Sequence, residues 1–534
     1  MNWTSFRLIS FLVVSFCLQI SSSAQSKWLP SPGIDIQHYE FSLEFFDEAD
    51  ALFGKAQIFL ERETSKKELK LDLIKKGNGK SGMVLKAVTY SSSPLTYSYE
   101  NDIISISLPA NFDPKIPIEI EYEGIPADGM IISKNKHGDR TFFGDNWPNR
   151  ARYWLPVVDH PSDKATVAFK VIVPEKYQVV GTGSLREESD LDKNRRYYHW
   201  ESEAQIATKV MVIGIAEFAV QYLSTKQGIP LSSWVYPQDR EAGFYDYAVA
   251  EEVMDFMIEK VGPYPFEKLA NVQSKTKFGG MENASNIFYM EASVDGKRSS
   301  EGLIAHEVAH QWFGNSASES DWQHIWLSEG FATYFTALFL ENKYGFEALQ
   351  KSMDENRITA LTRAPATGVV PQNADNLMAL LNANSYQKGG WVLHMLRTKV
   401  GDEKFWQIIR SYYSKYAGKN ASSSDFQEVA EKISGKKLDI FFTQWLRRPY
   451  NPEISWSYSF DAAKGEVSIS CTQTHEGEPF DLDLEFDIVQ GEIKARKSFR
   501  MIEKSRNFVI PMKKAPESIE IDPDSHVLAF FSKK

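Results

Sequence analysis

The chain has 534 residues, enough for three or four domains. It is 43% hydrophobic, 13% aromatic and 25% charged, which excludes a mostly disordered or low-complexity chain. With 60 Lys and Arg against 71 Asp and Glu the formal charge is −11, a poor balance for nucleic-acid binding, which needs basic faces to neutralise phosphates.

The first 24 residues read as a secretory signal. Arg7 is the only charge before a largely apolar run from Leu8 to Ile20, and Ser22-Ser23-Ala24 supplies the small residues of a cleavage site after Ala24. The run is too short to span a bilayer, and no later segment approaches 18 uninterrupted apolar residues, so no integral membrane segment is expected after cleavage. Cys17 leaves with the signal and Cys471 remains alone, so stability must come from burial rather than disulfides. A large exported chain without disulfides fits a bacterial periplasm better than an animal extracellular space.

From Gln25 to about Thr225 the hydrophobic period is two. Tyr39, Phe41, Leu43 and Phe45 fall on one face, and ELKLDL, ISISL, IEIEY and ATVAFKVIV repeat the pattern between turns. Residues 25–226 therefore read as an all-β domain. Near Gly228 the signal changes. Phe244–Val261 places Val249, Val253, Phe256 and Met257 at helical spacing, ANVQSK reads as a short strand, and helical patterns continue to Trp445. Pro449 and Pro452 break helix, so residues 227–448 form a second unit. In 449–534, Phe480, Leu482, Leu484, Phe486 and Ile488 alternate, which predicts a small second β domain, with Cys471 as a buried strand residue.

The chemistry concentrates in SSEGLIAHEVAHQWFGN. Ser299 or Ser300 is placed to cap a helix and Gly314-Asn315 to end it. His306 and His310 are four apart, so their imidazoles share one face and suit a Zn²⁺ at ~2.0–2.1 Å. Glu307 points about 100° round the helix, within reach of a metal-bound water without ligating the metal. Leu303, Ile304, Val308, Trp312 and Phe313 bury this helix, and buried histidines need partners. Eighteen residues separate His310 from Glu329 in WLSEGFATYF, where Ser328 is placed to cap a second apolar helix. His306, His310 and Glu329 make the two-His-plus-Glu set of a catalytic zinc site with one position open for water. Upstream, FGGMENASN contains Gly279, Gly280, Met281, Glu282 and Asn283. Alone, it reads as a loop or edge strand.

These motifs in this order resemble the zinc aminopeptidases related to aminopeptidase N and the leukotriene hydrolase, a gluzincin family. The resemblance extends through RARYWLPVVDHPSDKATV and SYQKGGWVLHML to FFTQWLRRPYNPEI, so it covers Gly33 to about Pro452. It implies a multidomain α+β architecture: an N-terminal β-saddle, a thermolysin-like α/β catalytic domain and a small C-terminal β-sandwich. It implies one Zn²⁺ per chain and hydrolysis of the N-terminal bond of peptides with a free amine. Glu282 would bind the substrate ammonium. Gly279 and Gly280 would offer backbone hydrogen bonds, with Met281 and Asn283 of the same motif in the substrate-binding set. Glu307 and Tyr386 would be catalytic, Tyr386 as oxyanion donor. The alternatives are a lipid epoxide hydrolase on the same fold or a thermolysin-like endopeptidase. The chain departs from the family in two places. Only a short β-patterned segment follows Pro452, where relatives have a helical domain. Trp147 stands where many relatives have Gln or Glu, leaving Asp145 or Asn146 to contact the amine.

Overall fold

A computed structural model describes residues 30, 32–225 and 227–534. The secretory-signal reading of residues 1–24 lies outside the described residues.

The architecture is multidomain and mixed. The N-terminal part is built on an eight-stranded sheet in which Ile34–Glu44 pairs antiparallel with Leu52–Arg62 and parallel with Lys164–Pro174. Its alternation is the one the sequence predicts: Tyr39, Phe41, Leu43 and Phe45 are all buried, and Phe41 stacks on Phe169 across the pair. From Tyr39 on, alternation sends every second side chain to the core face, and a bulge between Ile36 and His38 shifts the phase so that Ile36 is buried as well. A four-stranded sheet that includes Arg140–Gly144 and Ile213–Ala216 leads from this part toward the central sheet.

The central sheet has five strands, ordered Ala219–Ser224, Pro230–Val235, Leu269–Ser274, Asn286–Met290 and Gly280–Met281. The change of period near Gly228 thus falls inside the hairpin that opens this sheet. Nine helices follow among the described residues: α1 (Arg240–Tyr247), α2 (Val249–Lys260), α3 (Glu301–His310), α4 (Trp326–Tyr344), α5 (Phe346–Arg363), α6 (Gly389–Val400), α7 (Asp402–Tyr416), α8 (Ser423–Ser434) and α9 (Asp439–Arg447). The predicted helix over 244–261 is two helices, interrupted at Ala248, which itself keeps helical angles (φ −60°, ψ −20°). Helix α8 starts with a reciprocal capping box between Ser422 and Asp425.

Pro449 and Pro452 occupy the link between α9 and the strand Glu453–Asp461. Beyond it, a four-stranded and a three-stranded sheet pack together through Phe480, Leu482, Leu484, Phe486 and Ile488. Cys471 is buried in the strand Glu466–Gln473, where burial pushes its thiol up to about 12, an inert state. This unit is tied to the helices by Arg357 to Asp522 at 2.7 Å and by the paired amide contacts of Gln444 with Asp481.

Two buried clusters result. The larger runs through all three parts. The second joins Trp147 from the N-terminal part, Met281 and Trp322 from the centre, and Leu377 and Leu380 from the segment before α6. It borders the site described next.

Candidate active site

Helix α3 presents His306 and His310 on one face, and α4 brings Glu329 to meet them. The two Nε2 atoms are 3.1 Å apart, and Glu329 Oε2 lies 3.4 Å from His306 Nε2 and 3.3 Å from His310 Nε2. A tetrahedral ion held at about 2.0–2.1 Å separates its ligands by about 3.3–3.4 Å. The triangle therefore has the dimensions of three ligands around one zinc. The outer nitrogen of His310, Nδ1, is 3.1 Å from the carbonyl oxygen of Phe313 and 3.0 Å from the Ser328 hydroxyl. Donating Nδ1–H to the carbonyl fixes the tautomer and leaves the Nε2 lone pair for a metal.

Three local expectations are corrected. Helix α3 ends at His310 rather than at Gly314, and the chain continues through tight turns such as Phe313 N–H to Ala309 O and Asn315 N–H to His310 O. Ser300 stands at its N-cap, but its hydroxyl donates to Ser293 O instead of capping. Helix α4 begins at Trp326, two residues before Ser328. Asp321 accepts the backbone N–H of Trp322 and starts a short 3₁₀ turn that feeds into α4. Ser328 is thereby freed from capping and turned toward His310.

Glu307 projects from α3 against the strand Gly280–Met281. A Cβ at Gly280 would come within 2.4 Å of Glu307 Oε1, so this approach requires glycine. That strand is the outermost of the central sheet, antiparallel to Asn286–Met290 through Gly280 opposite Tyr289 and Met281 opposite Phe288. An edge strand leaves one row of backbone groups free for an extended peptide. Glu282 follows it. Its backbone carbonyl is held by Gln311 Nε2 at 2.9 Å and by Asn315 Nδ2. Its side chain is buried, yet Oε1 has no hydrogen-bond partner. Oxygens of Glu282 and Glu307 and a nitrogen of His310 all lie within 4.8 Å of one another.

Tyr386 sits in a π-helical turn, Asn384–Lys388, that leads into α6. Its ring lies nearly parallel to that of His306, 11° between planes and 5.9 Å between centroids. Helices α4 and α6 come close because two glycines meet: a Cβ on Gly330 would lie 2.8 Å from the carbonyl carbon of Gly389. Gly330 follows Glu329 and Gly389 follows the turn carrying Tyr386, so one backbone contact sets both side chains.

These residues enclose a cavity of about 260 Å³. Gly279, Gly280, Met281, Glu282, His306, Glu307, His310, Glu329 and Tyr386 all line it, as the sequence reading requires. Asn283 does not; it is fully buried behind the wall with both amide atoms unpaired. Nor do Asp145 and Asn146 line it. Asp145 pairs with Arg150 at 2.8 Å, and Asn146 is consumed by Thr208 O, Met211 O and the Trp154 indole N–H. The sequence reading did not assign Trp147, Phe278, Leu303 and Leu381 to the lining, which they complete. Leu303 stands three residues before His306 on α3, a helical spacing that marks it; no periodicity marks Phe278 or Leu381. Two larger hollows, of about 380 and 360 Å³, lie elsewhere and include no histidine.

The electrostatics favour a cation in the triangle. Burial raises the pKa of Glu282 and drives that of Glu307 far up. For Glu329 burial also works upward, but His310 and His306 outweigh it and hold the carboxyl well below its usual range. Burial and the Glu329 charge push the Tyr386 hydroxyl up, so it stays a donor.

Comparison with known proteins identifies the family and the fold. Residues 36–210 match the peptidase M1 N-terminal domain and residues 245–445 the peptidase family M1 domain. Aminopeptidase M1-B of Oryza sativa subsp. japonica is 29% identical over 320 residues, covering 57% of this chain and 36% of that protein. Glutamyl aminopeptidase of Sus scrofa is 25% identical over 328 residues, covering 58% and 35%. Tricorn protease-interacting factor F2 of Thermoplasma acidophilum is 25% identical over 447 residues, covering 80% and 54%. In these three alignments the chain spans between about a third and just over half of each relative's length. Among solved structures, aminopeptidase A of Legionella pneumophila in complex with aspartic acid shares the fold at a TM-score of 0.82 and 16% identity, covering 95% of this chain and 60% of that one.

Proposed function

The chain belongs to peptidase family M1, and from that premise we propose that it is a zinc-dependent aminopeptidase removing the first residue of peptides with a free N-terminal amine. One observation carries the reading: a buried carboxylate oxygen of Glu282, without a partner, lies beside a ligand triangle of zinc dimensions. An ammonium is the group that satisfies it, through a charge-assisted hydrogen bond. A peptide so held has its first bond, and no other, near the metal.

His306, His310 and Glu329 are the residues that would hold one zinc. When bound, zinc acidifies a water ligand and polarises a carbonyl. Glu307 accepts the proton from the attacking water at its carboxylate and passes it to the nitrogen of the leaving peptide. The Tyr386 hydroxyl donates to the carbonyl oxygen as charge builds there. The free edge at Gly280 aligns the substrate backbone, while the Gly279 carbonyl accepts the Met290 N–H within the sheet.

Export, to a periplasm or as a secreted protein, is supported by the sequence of residues 1–24 alone. No helix among the described residues is long and apolar enough to cross a membrane.

The test is a digest of one peptide with and without an N-terminal acetyl group, read by mass spectrometry. The free peptide should be shortened one residue at a time and the acetylated form left intact. Internal cleavage of the acetylated peptide at a comparable rate would establish an endopeptidase instead.

A further inference from the structure

Apart from its charged groups and glycines, the cavity is lined by Trp147, Phe278, Met281, Leu303, Leu381 and Tyr386. Trp147 meets Phe278 edge-on at 6.1 Å and meets Trp322 in the same way at 6.1 Å. Trp147, Met281 and Trp322 belong to the second buried cluster, with Phe278 and Leu381 packed against it. This wall is therefore the exposed face of a packed core, not a set of isolated side chains.

The cations nearest the wall are already engaged. Arg150 lies over the Phe278 ring but bonds to Asp145 at 2.8 Å and Asp128 at 3.2 Å. Lys277 pairs with Asp128 at 2.6 Å. Lys209, over Trp322, pairs with Glu319 at 2.6 Å, both fully buried. None of the three lines the cavity. Away from the ligand triangle, an acidic side chain entering here would meet apolar rings, with no Lys or Arg in the lining to pair with it. An apolar one would exchange water for aromatic and thioether surface.

We infer, on the strength of the aminopeptidase reading, that the cavity selects peptides whose first residue is large and apolar, such as Leu, Met or Phe, and rejects Asp and Glu. The glutamyl aminopeptidases to which the chain is similar are named for an acidic residue. The lining of this cavity points the other way, and Trp147, Phe278, Met281 and Leu381 are its specificity-determining residues.

The experiment uses the full chain loaded with zinc and aminoacyl-coumarin substrates bearing Leu, Met, Phe, Ala, Asp or Glu. We expect kcat/KM for Leu, Met and Phe to exceed that for Asp and Glu by about 100-fold or more, and that for Ala by about 10-fold. Trp147 is tightly packed, so the variants are made at half-buried positions. Phe278→Ala should lower the Phe-to-Ala and Leu-to-Ala ratios of kcat/KM by about 10-fold. Leu381→Arg should narrow the Leu-to-Glu ratio by about 10-fold or more. Comparable rates on Glu and Leu, with Ala cleaved normally, would overturn the apolar preference and leave an aminopeptidase. No turnover of any free-amine substrate would overturn both readings.

Discussion

The hydroxyl of Ser328 lies 3.0 Å from Nδ1 of His310 and so shares, with the carbonyl of Phe313, the orientation of that imidazole. Groups that orient metal-binding histidines typically alter metal affinity 10–100-fold when removed. Ser328→Ala keeps the Phe313 carbonyl, so the lower end is expected. Competition with a graded series of chelators should show zinc released at about 10-fold lower chelator activity. An unchanged release curve would mean that Phe313 alone fixes the ring.

Gly280→Ala forces a methyl group against the Glu307 carboxylate. The edge strand has little room to retreat, because Gly280 is paired with Tyr289. We expect kcat to fall by about 100-fold or more with zinc content unchanged. Metal analysis alongside steady-state kinetics separates this from loss of the ion.

Glu307→Gln and Tyr386→Phe remove one proton acceptor and one donor without altering the ligand triangle. Turnover by Glu307→Gln should be nearly abolished, since an amide does not take up the proton. Tyr386→Phe should lower kcat about 10²–10³-fold with a much smaller change in KM, the mark of an interaction strongest in the transition state. A wild-type kcat in the phenylalanine variant would remove Tyr386 from the mechanism.

Stability should fall on acidification, and two buried histidines away from the ligand triangle contribute. Burial lowers His324 to about 4 and His394 to about 3, against an ordinary value of 6.5. His394 donates Nε2–H to Ser525 O and faces the Tyr334 hydroxyl at Nδ1, so its neutral form is the one accommodated. Between those values and 6.5 the unfolded chain binds more protons than the folded one. Their contribution is complete above pH 6.5 and is lost as pH drops, by up to about 1.4 kcal/mol per proton per pH unit. Denaturant unfolding at pH 7 and pH 5.5 should show a smaller difference for His394→Gln than for wild type.

What the sequence made legible was whatever repeats along one element. Alternation placed Tyr39, Phe41, Leu43 and Phe45 on one face, and a four-residue spacing brought His306 and His310 together. Those patterns are local consequences of strand and helix geometry. Ser328 was read as a cap because a serine after a loop commonly is one; the cap is Asp321, acting on a 3₁₀ turn that sequence periodicity does not register. Phe278 and Leu381 were invisible as lining for a different reason. They lie more than one hundred residues apart in irregular stretches, and only tertiary packing against Trp147 and its cluster brings them to one cavity.

The crossing of Gly330 and Gly389 has a consequence for how the enzyme tolerates change. Because this backbone contact helps locate both Glu329 and Tyr386, any substitution that spreads α4 from α6 displaces the proposed metal ligand and the proposed oxyanion donor together. Metal retention and turnover are geared to one another through this joint. Among variants of either helix the two properties should rise and fall in step, and improving one while holding the other constant would require changes elsewhere in the cavity.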